Sequence, residues 1–380
     1  MENKIKDTAI VGIGSTSFTR KATRSRLGLA VEAIANAIED AGLKPDDVDG
    51  LTSHVFDPTT EREVLNCFGW RNLRFFAETA YGNSSATVGV AAMGVATGQA
   101  RYAVAFRSIS GRYGDGPKAD RVHGEHAFYS PFGMRVPAHW VAVIAQRYLY
   151  EYKVDPRAFG WISVTCRKHG ATNPGAVNYK RPITIEEHQA SRMIADPLRL
   201  FDCTPNTEGA CAVVVASRED ARNLRQPPVR ILGFVQGTGA ETENNTNYNR
   251  ENILSTDESE YMRREMYEKT GIAATEVDVV QFYDHFTPLV LMGLEAWGFC
   301  GRGEGAAFVE GGERITIGGD VPLNTSGGHI GEAYVQSMNH IVDSVRQLRG
   351  TAPNQVVGAE LSLVASGVNL PGSALMLGKD

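Results

Sequence analysis

Several classes of protein are excluded by what this sequence lacks. None of its five cysteines lies in a C-x-x-C pair, so neither a zinc site nor a disulfide framework is predicted. No apolar run approaches the ~18 residues of a membrane span, so no membrane partner is expected. A net charge of −6 without a basic stripe argues against nucleic acid. The first residues enter a strand-like segment without a signal peptide, which makes the cytoplasm the default location.

The remaining composition is typical of a globular protein, with 42% hydrophobic and 22% charged residues. A chain of 380 residues can form two domains or one large duplicated fold. Strand and helix patterns alternate through two α/β halves, 1–225 and 226–380, which predicts a largely parallel sheet covered by helices. The block 110–194 is rich in histidine and aromatic residues, and its pattern indicates an insertion over a site.

The most informative segment is a glycine-rich loop at Asn324–Tyr334, with the sequence NTSGGHIGEAY. Its paired glycines permit positive φ angles and a close approach of backbone to ligand. Helical spacing of apolar residues follows from Val335 to Leu348. A loop that delivers polar side chains to a site and then enters a helix is a common catalytic arrangement.

Three further segments carry turn or polar motifs beside apolar strands. The first is Asp202–Ala210 (DCTPNTEGA), which precedes a buried strand. The second is Tyr283–Phe286 (YDHF), and the third is the C-terminal Val364–Val368 (VASGV). Together with the glycine-rich loop they span nearly the whole chain.

In this order the four segments resemble the thiolase superfamily, and most closely its sterol-carrier-protein thiolases and lipid-transfer proteins. The loop is similar to the thiolase N-x-S-G-G-x-x-x-x-G-H-P segment, and Tyr283–Phe286 stands where the branch carries His-Asp-Cys-Phe. The resemblance implies an α/β, duplicated five-layer thiolase fold and a homodimer. It also implies a small OB-fold zinc-ribbon partner protein that would form a heterotetramer with the chain.

All three thiolase catalytic functions are replaced. Asn83 aligns with the nucleophilic cysteine, and Ser84 is the alternative within one residue. Tyr334 stands where the activating histidine belongs, and the second cysteine falls at Ala365 or Ser366. Claisen chemistry through an acyl-thiolate is therefore not expected.

The replacements resemble instead the thiolase-like aldolases that cleave steroid side chains. These enzymes split a β-hydroxyacyl-CoA by a retro-aldol reaction into a ketone and a short acyl-CoA. The reaction needs a base for the alcohol, a proton donor for the enolate and hydrogen-bond donors to the thioester oxygen, but no cysteine. We expect Tyr283 and Tyr334 to be the acid/base pair, and the sequence leaves open which of them is the base.

Five other residues are candidates for substrate binding. Asn83, Ser84 and the Gly367 amide could hold the thioester oxygen, and His285 could orient a tyrosine or serve only the structure. His329 lies in the glycine-rich loop, and either role suits it. No metal and no cofactor is expected, since coenzyme A is part of the substrate.

Two alternatives stay open at this point. One is a catalytically degenerate thiolase-like subunit that only binds partners. The other is an acyl-CoA acyltransferase with Ser84 as nucleophile, although no histidine aligns to activate this serine.

Overall fold

The computed structural model describes residues 4–79, 82–110, 126–241, 248–368 and 371–380. These residues form eleven strands: β1 Thr8–Ser15, β2 Gly50–His54, β3 Phe75–Thr79, β4 Tyr102–Ile109, β5 Met193–Ala195, β6 Leu198–Arg199, β7 Gly209–Ser217, β8 Val229–Gly237, β9 Val279–Phe282, β10 Leu361–Ala365 and β11 Gly372–Lys379.

The same residues form thirteen α-helices: α1 Arg26–Ala41, α2 Glu61–Phe68, α3 Ser84–Ala96, α4 His126–Tyr129, α5 Pro137–Tyr152, α6 Arg157–Thr172, α7 Ile185–Ala190, α8 Arg218–Ala221, α9 Asp257–Thr270, α10 Thr287–Ala296, α11 Gly305–Val309, α12 Gly328–Gly331 and α13 Met338–Arg349. Short 3-10 helices lie at Lys4–Asp7, Pro45–Asp47, Ser130–Phe132, Leu200–Asp202, Ala274–Glu276 and Glu310–Ile315. Among the helices of the described residues, none is long and apolar enough to cross a membrane.

Nine strands form one sheet in the order β3-β2-β4-β7-β1-β8-β11-β10-β9. In its first part β2 and β4 are parallel, whereas β4–β7 and β7–β1 are antiparallel. The second part repeats this arrangement, with β9 and β10 parallel and with β10–β11 and β11–β8 antiparallel. Two strand sets of equal order and direction are what a duplicated fold requires. They meet where β1 and β8 pair.

The expectation of a largely parallel sheet is wrong, because most neighbouring strands in this sheet are antiparallel. Alternating strand and helix patterns do not report strand direction. Strands β10 and β11 follow each other without an intervening helix, and such a direct connection produces an antiparallel pair.

Alternate side chains of the strands point into different layers, and this divides the apolar core into three parts. One outer part packs α1 against β1, β4 and β7. The central part packs α3 and α13 between strands of both sets, including β1, β7, β8, β10 and β11. The other outer part packs α5, α6, α9 and α10 against the second set. The layer order is thus helix, first strand set, helix, second strand set and helix, which are the five layers expected for the thiolase fold.

Helix α1 shows how the sequence sets the outer packing. Ser25 caps its N-terminus by accepting from the Gly28 amide at 3.1 Å, and Gly42 ends it with φ 77°. A Cβ atom on Gly12 of strand β1 would lie 2.2 Å from the Ala37 carbonyl oxygen of α1. Only glycine permits this close approach of helix to strand.

The predicted helix at Val335–Leu348 begins three residues later than expected, at Met338. Gln336 and Ser337 have φ angles of 51° and 68°, which no α-helix contains. The apolar spacing includes Val335 because this residue is buried in the central layer, although its backbone belongs to the loop. Residues 335–337 therefore extend the glycine-rich loop.

Part of the expected insertion, residues 111–125, lies outside the described residues. The rest contains α4–α7, and the β5–β6 pair lies at and just beyond its end. None of these elements joins the nine-stranded sheet. The limits of this insertion and the boundary between 225 and 226 stay predictions.

Candidate active site

Two loops of the second half are tied together by one asparagine and one aspartate. The Asn324 side chain accepts from the Phe282 amide at 2.8 Å and donates to the Phe282 carbonyl at 3.0 Å. The Asp284 carboxylate accepts from the amides of His329 at 2.8 Å and Ile330 at 3.2 Å. These bonds fix the YDHF segment against the glycine-rich loop.

A glycine is required where the Asp284 carboxylate meets this loop. Gly328 has φ 60°, and a Cβ atom there would lie 2.4 Å from Oδ2 of Asp284. The conformation is one that L-residues rarely adopt, and the space is already filled. The paired glycines of the motif thus let the loop backbone reach the carboxylate.

Tyr283 and Tyr334 lie together at the centre of the two loops, with their hydroxyl oxygens 2.7 Å apart. Tyr283 is 7% exposed, whereas Tyr334 is partly exposed. Thr207, from the DCTPNTEGA segment, accepts from the Tyr334 amide at 2.9 Å and donates to its carbonyl at 3.1 Å. The fourth segment meets the pair as well, since the Tyr283 amide donates to the Ala365 carbonyl at 3.2 Å.

Burial raises the pKa of both phenols above the ordinary value of 10. For Tyr283 the neighbouring Tyr334 raises the pKa further, while Arg107 and Gln336 lower it. For Tyr334 the hydrogen bond with Tyr283 and the charge of Arg107 both counteract burial and lower the pKa. Arg107 thus favours a negative charge on the tyrosine pair.

The N-terminus of α3 supplies the polar groups at the position of the missing thiol. Asn83 caps the helix by accepting from the Ser85 amide at 2.9 Å, and its Oδ1 also accepts from Ser373 at 3.1 Å. Its Nδ2 is buried and has no hydrogen-bond partner among the described residues. Ser84 donates from Oγ to the Gln336 carbonyl at 2.7 Å. A serine nucleophile would contact an activating imidazole, whereas Ser84 contacts a backbone carbonyl.

His285 packs against Tyr283, with ring centroids 4.4 Å apart, and Gly367 lies beside both rings. Burial lowers the pKa of His285 to about 4, against smaller opposing effects of the Tyr283 carbonyl and Asp284. Within the described part of the chain, neither ring nitrogen has a hydrogen-bond partner of good geometry, although the Tyr283 carbonyl is near. At neutral pH this imidazole is uncharged.

His329 lies under the tyrosine pair, with its ring 4.8 Å from that of Tyr283 and 5.1 Å from that of Tyr334. Its Nε2 accepts from the Ser337 amide at 2.9 Å, which helps to hold the loop beyond Tyr334. Burial lowers the pKa of His329 well below its ordinary value. The ring is therefore a neutral support beneath the phenols.

Asp284, His329 and His340 form a fully buried cluster that has the residue types of a metal site. Oδ1 of Asp284 lies 3.3 Å from both Nδ1 of His329 and Nε2 of His340. Because Nε2 of His329 accepts from Ser337, the neutral ring carries its proton on Nδ1 and cannot offer that atom to a metal. The donor set fits a carboxylate that receives N–H groups better than it fits a cation. Burial alone would raise the pKa of Asp284, but the two imidazoles and the His329 amide outweigh it and lower the pKa to about 2.

Four of the five cysteines are poor nucleophiles, and the fifth, Cys67, is exposed at the surface. Burial raises the pKa of Cys203 and of Cys300 to about 12, and it raises the pKa of Cys166 and Cys211 as well. A thiolate is the reactive form, so these side chains are inert near neutral pH.

Sequence reasoning missed Asp57, Arg107 and Gln336. Arg107 pairs with Asp57 at 3.2 Å and donates from Nε to the Gln336 side chain at 2.6 Å, next to the tyrosines. The available signal was an arginine inside the apolar strand Tyr102–Ile109, a position where a charge needs a partner.

Comparisons with known proteins agree with this geometry. Residues 237–375 match the family described as Thiolase C-terminal domain-like. The chain is 43% identical to the steroid side-chain-cleaving aldolase of Thermomonospora curvata, over 98% of each chain. It is 44% identical to the 17-hydroxy-3-oxo-4-pregnene-20-carboxyl-CoA lyase of Mycobacterium tuberculosis, over 97% of this chain and 98% of that protein. The solved structure of the Ltp2-ChsH2(DUF35) aldolase superposes with a TM-score of 0.93 and 44% identity, over 99% of this chain and 98% of that one.

Proposed function

The chain belongs to the thiolase superfamily, in the branch of sterol-carrier-protein thiolases and lipid-transfer proteins, and we propose that it is a carbon–carbon lyase acting on a β-hydroxyacyl-CoA. It cleaves the Cα–Cβ bond by a retro-aldol reaction and releases a ketone and a short acyl-CoA. The two similar proteins with steroid names act on steroid side chains, so the substrate of this chain is a steroid side-chain CoA thioester. The observation that carries the proposal is the pair of phenols 2.7 Å apart at the place of the thiolase histidine.

Tyr334 is the base in this reaction. The field of Arg107 favours a negative charge on its oxygen, and the Tyr283 hydroxyl, 2.7 Å away, can donate to it. It removes the proton of the β-hydroxyl, the carbonyl of the ketone forms, and the Cα–Cβ electrons become the enolate of the thioester. The tyrosine pair then returns the proton to the enolate carbon, so the site neither gains nor loses a proton over the reaction.

The enolate oxygen needs hydrogen-bond donors that are already in position. Asn83 Nδ2 is such a donor, because it is buried and has no partner within the described residues. The helix α3 behind it directs the positive end of its dipole toward the same point. The Gly367 amide and Ser84 complete the surroundings of the thioester.

Neutral His285 offers the substrate a hydrogen bond without bringing a charge into the site, because neither of its ring nitrogens has a partner among the described residues. A cation beside Tyr283 would stabilise its phenolate and so compete with Tyr334 for the negative charge. Because burial lowers the pKa of His285 to about 4, no such cation exists at pH 7. His285 binds the acyl part of the substrate, and His329 supports the tyrosines from below.

The chain acts together with a partner protein, as does the similar aldolase whose solved structure contains ChsH2(DUF35). In finer detail we infer a homodimer that binds two copies of a small OB-fold zinc-ribbon protein to form a heterotetramer. The protein works in the cytoplasm and uses no cofactor other than the coenzyme A of its substrate.

The direct test incubates the purified chain, with and without a small OB-fold zinc-ribbon partner, with a β-hydroxyacyl-CoA of a steroid side chain. Ketone and acyl-CoA must appear in equal amounts and without added free coenzyme A. Release that requires free coenzyme A would indicate thiolytic acyl transfer. No cleavage with any partner would leave the chain as a degenerate subunit.

A further inference from the structure

Arg107 is a charged side chain on an otherwise apolar strand, and it is only 6% exposed. Its neighbours on β4 pack in the core on both faces of the sheet. Taking a guanidinium out of water costs several kcal/mol unless it is paired. An arginine at this position therefore calls for a reason beyond packing.

Asp57 holds one side of the guanidinium. Its Oδ2 lies 3.2 Å from Nη1 of Arg107, which also donates to the Ser108 carbonyl at 2.8 Å. The carboxylate accepts in addition from the Ser108 amide at 2.6 Å and from the Thr59 amide at 3.0 Å. The arginine is thus fixed on a rigid acceptor and cannot swing to solvent.

Gln336 occupies the other side and joins the arginine to the phenols. Its Oε1 accepts from Nε of Arg107 at 2.6 Å, so its amide nitrogen is the end left to face Tyr283, whose pKa Gln336 lowers. The Gln336 backbone has a φ of 51°, and its carbonyl accepts from the Ser84 amide at 3.1 Å. A left-handed backbone is strained for a residue of this type, and such strain is tolerated where the surroundings determine it.

We propose that Arg107 is a positioning residue for the retro-aldol step, because through Gln336 it orients the Tyr283 hydroxyl toward Tyr334 and its charge stabilises the phenolate formed there. The inference rests on the proposed function, since it assigns a task within that reaction. Asp57 supports this role indirectly, because it holds the arginine in place.

Among the described residues, His285, His54 and His329 face the site and stay uncharged above about pH 6. Burial lowers the pKa of His285 and of His54 to about 4, and it lowers the pKa of His329 well below its ordinary value. Asp284 is ionised because its pKa is about 2, and Arg26 faces Arg107 as a second cation. Burial raises the pKa of both phenols above 10, so titration above this pH reports the phenols and not these imidazoles.

The test uses Arg107→Gln, Arg107→Lys and Gln336→Leu in the complex with the partner protein. The first readout is the pH dependence of kcat/KM, which rises with pH as the base loses its proton. Without the arginine this rise should move to higher pH by roughly 1 to 3 units, the scale set by a charge a few ångströms away. Arg107→Lys should restore part of the shift, because the charge returns without the planar fork.

The second readout does not depend on turnover. Fluorine NMR of protein with ring-fluorinated tyrosine follows the ionisation of each phenol, and the Tyr334→Phe and Tyr283→Phe spectra assign the two signals. Both signals should titrate at higher pH in Arg107→Gln than in the wild type. Gln336→Leu leaves the Arg107–Asp57 pair intact, so it tests the connection if Arg107→Gln does not fold.

Arg349→Gln is the matched control, because Arg349 is also a buried arginine and pairs with Asp40 at 2.9 Å. It should leave both readouts unchanged. A folded Arg107→Gln protein that loses activity with unmoved pH profile and unmoved tyrosine signals would show a merely structural role and overturn the inference. If the wild type cleaves nothing but the tyrosine signals still titrate at higher pH in Arg107→Gln, the coupling is supported and only the proposed reaction is rejected.

Discussion

Removing one hydroxyl at a time from the tyrosine pair tests the proposed mechanism most sharply. Tyr334→Phe and Tyr283→Phe each delete one end of the 2.7 Å bond and leave the rings in place. Loss of a positioned acid or base costs roughly 10²- to 10⁴-fold in turnover. That range corresponds to about 3 to 5 kcal/mol of activation free energy.

The structure sets two finer expectations. Stability should fall by only about 1 kcal/mol in Tyr334→Phe, because the change removes one hydrogen bond and leaves the ring in place. The double variant should be about as slow as the slower single variant, since two groups that act as one unit give non-additive effects. Independent groups would instead give effects that multiply.

The assay measures ketone release over a range of substrate concentrations, together with the denaturant midpoint of each variant. Tyr267→Phe is the control, because this phenol donates to the Trp297 carbonyl at 3.3 Å outside the site. It should retain full turnover. If either single variant at the site keeps more than about a third of the wild-type rate, or if the double variant shows multiplied losses, the paired mechanism is refuted.

Three further outcomes are expected. Replacing all five cysteines, or treating the protein with iodoacetamide, should leave ketone release unchanged because burial raises the pKa of thiols such as Cys203 to about 12; loss of turnover in a folded protein would revive covalent acyl transfer. Gly328→Ala should lower the free energy of unfolding by about 2 kcal/mol or more, since its Cβ would meet Asp284 at 2.4 Å at a φ of 60°; an unchanged urea midpoint would contradict this. The folded state keeps His285 neutral, with a pKa of about 4, below the ordinary value near 6.5. Its contribution to the free energy of unfolding is therefore fully present above about pH 6.5 and is lost as pH falls to about 4. His285→Gln should flatten that part of the stability curve, measured by urea unfolding at several pH values, and an equally steep curve would show that His285 is not responsible.

The four motif segments were sufficient to identify the thiolase family, the missing thiol and the two tyrosines. These features are local, because each depends on the residues within one loop and on the order of the loops. Asn83 at the start of α3, and the glycines that meet Asp284, follow from the same kind of information. The catalytic roles of the sequence-predicted residues stay predictions that the variants above test.

Only the tertiary structure decided the direction of the strands, the start of α13 at Met338 and the connection from Asp57 through Arg107 and Gln336 to the phenols. Arg107 and Gln336 are 229 positions apart in the chain, so their hydrogen bond exists only once the two strand sets have closed around the central helices. No periodicity or motif reports such a contact. The effect of Arg107 on the two phenols was equally hidden, because it depends on burial and on the field of an arginine distant in the chain, and both arise when the chain folds.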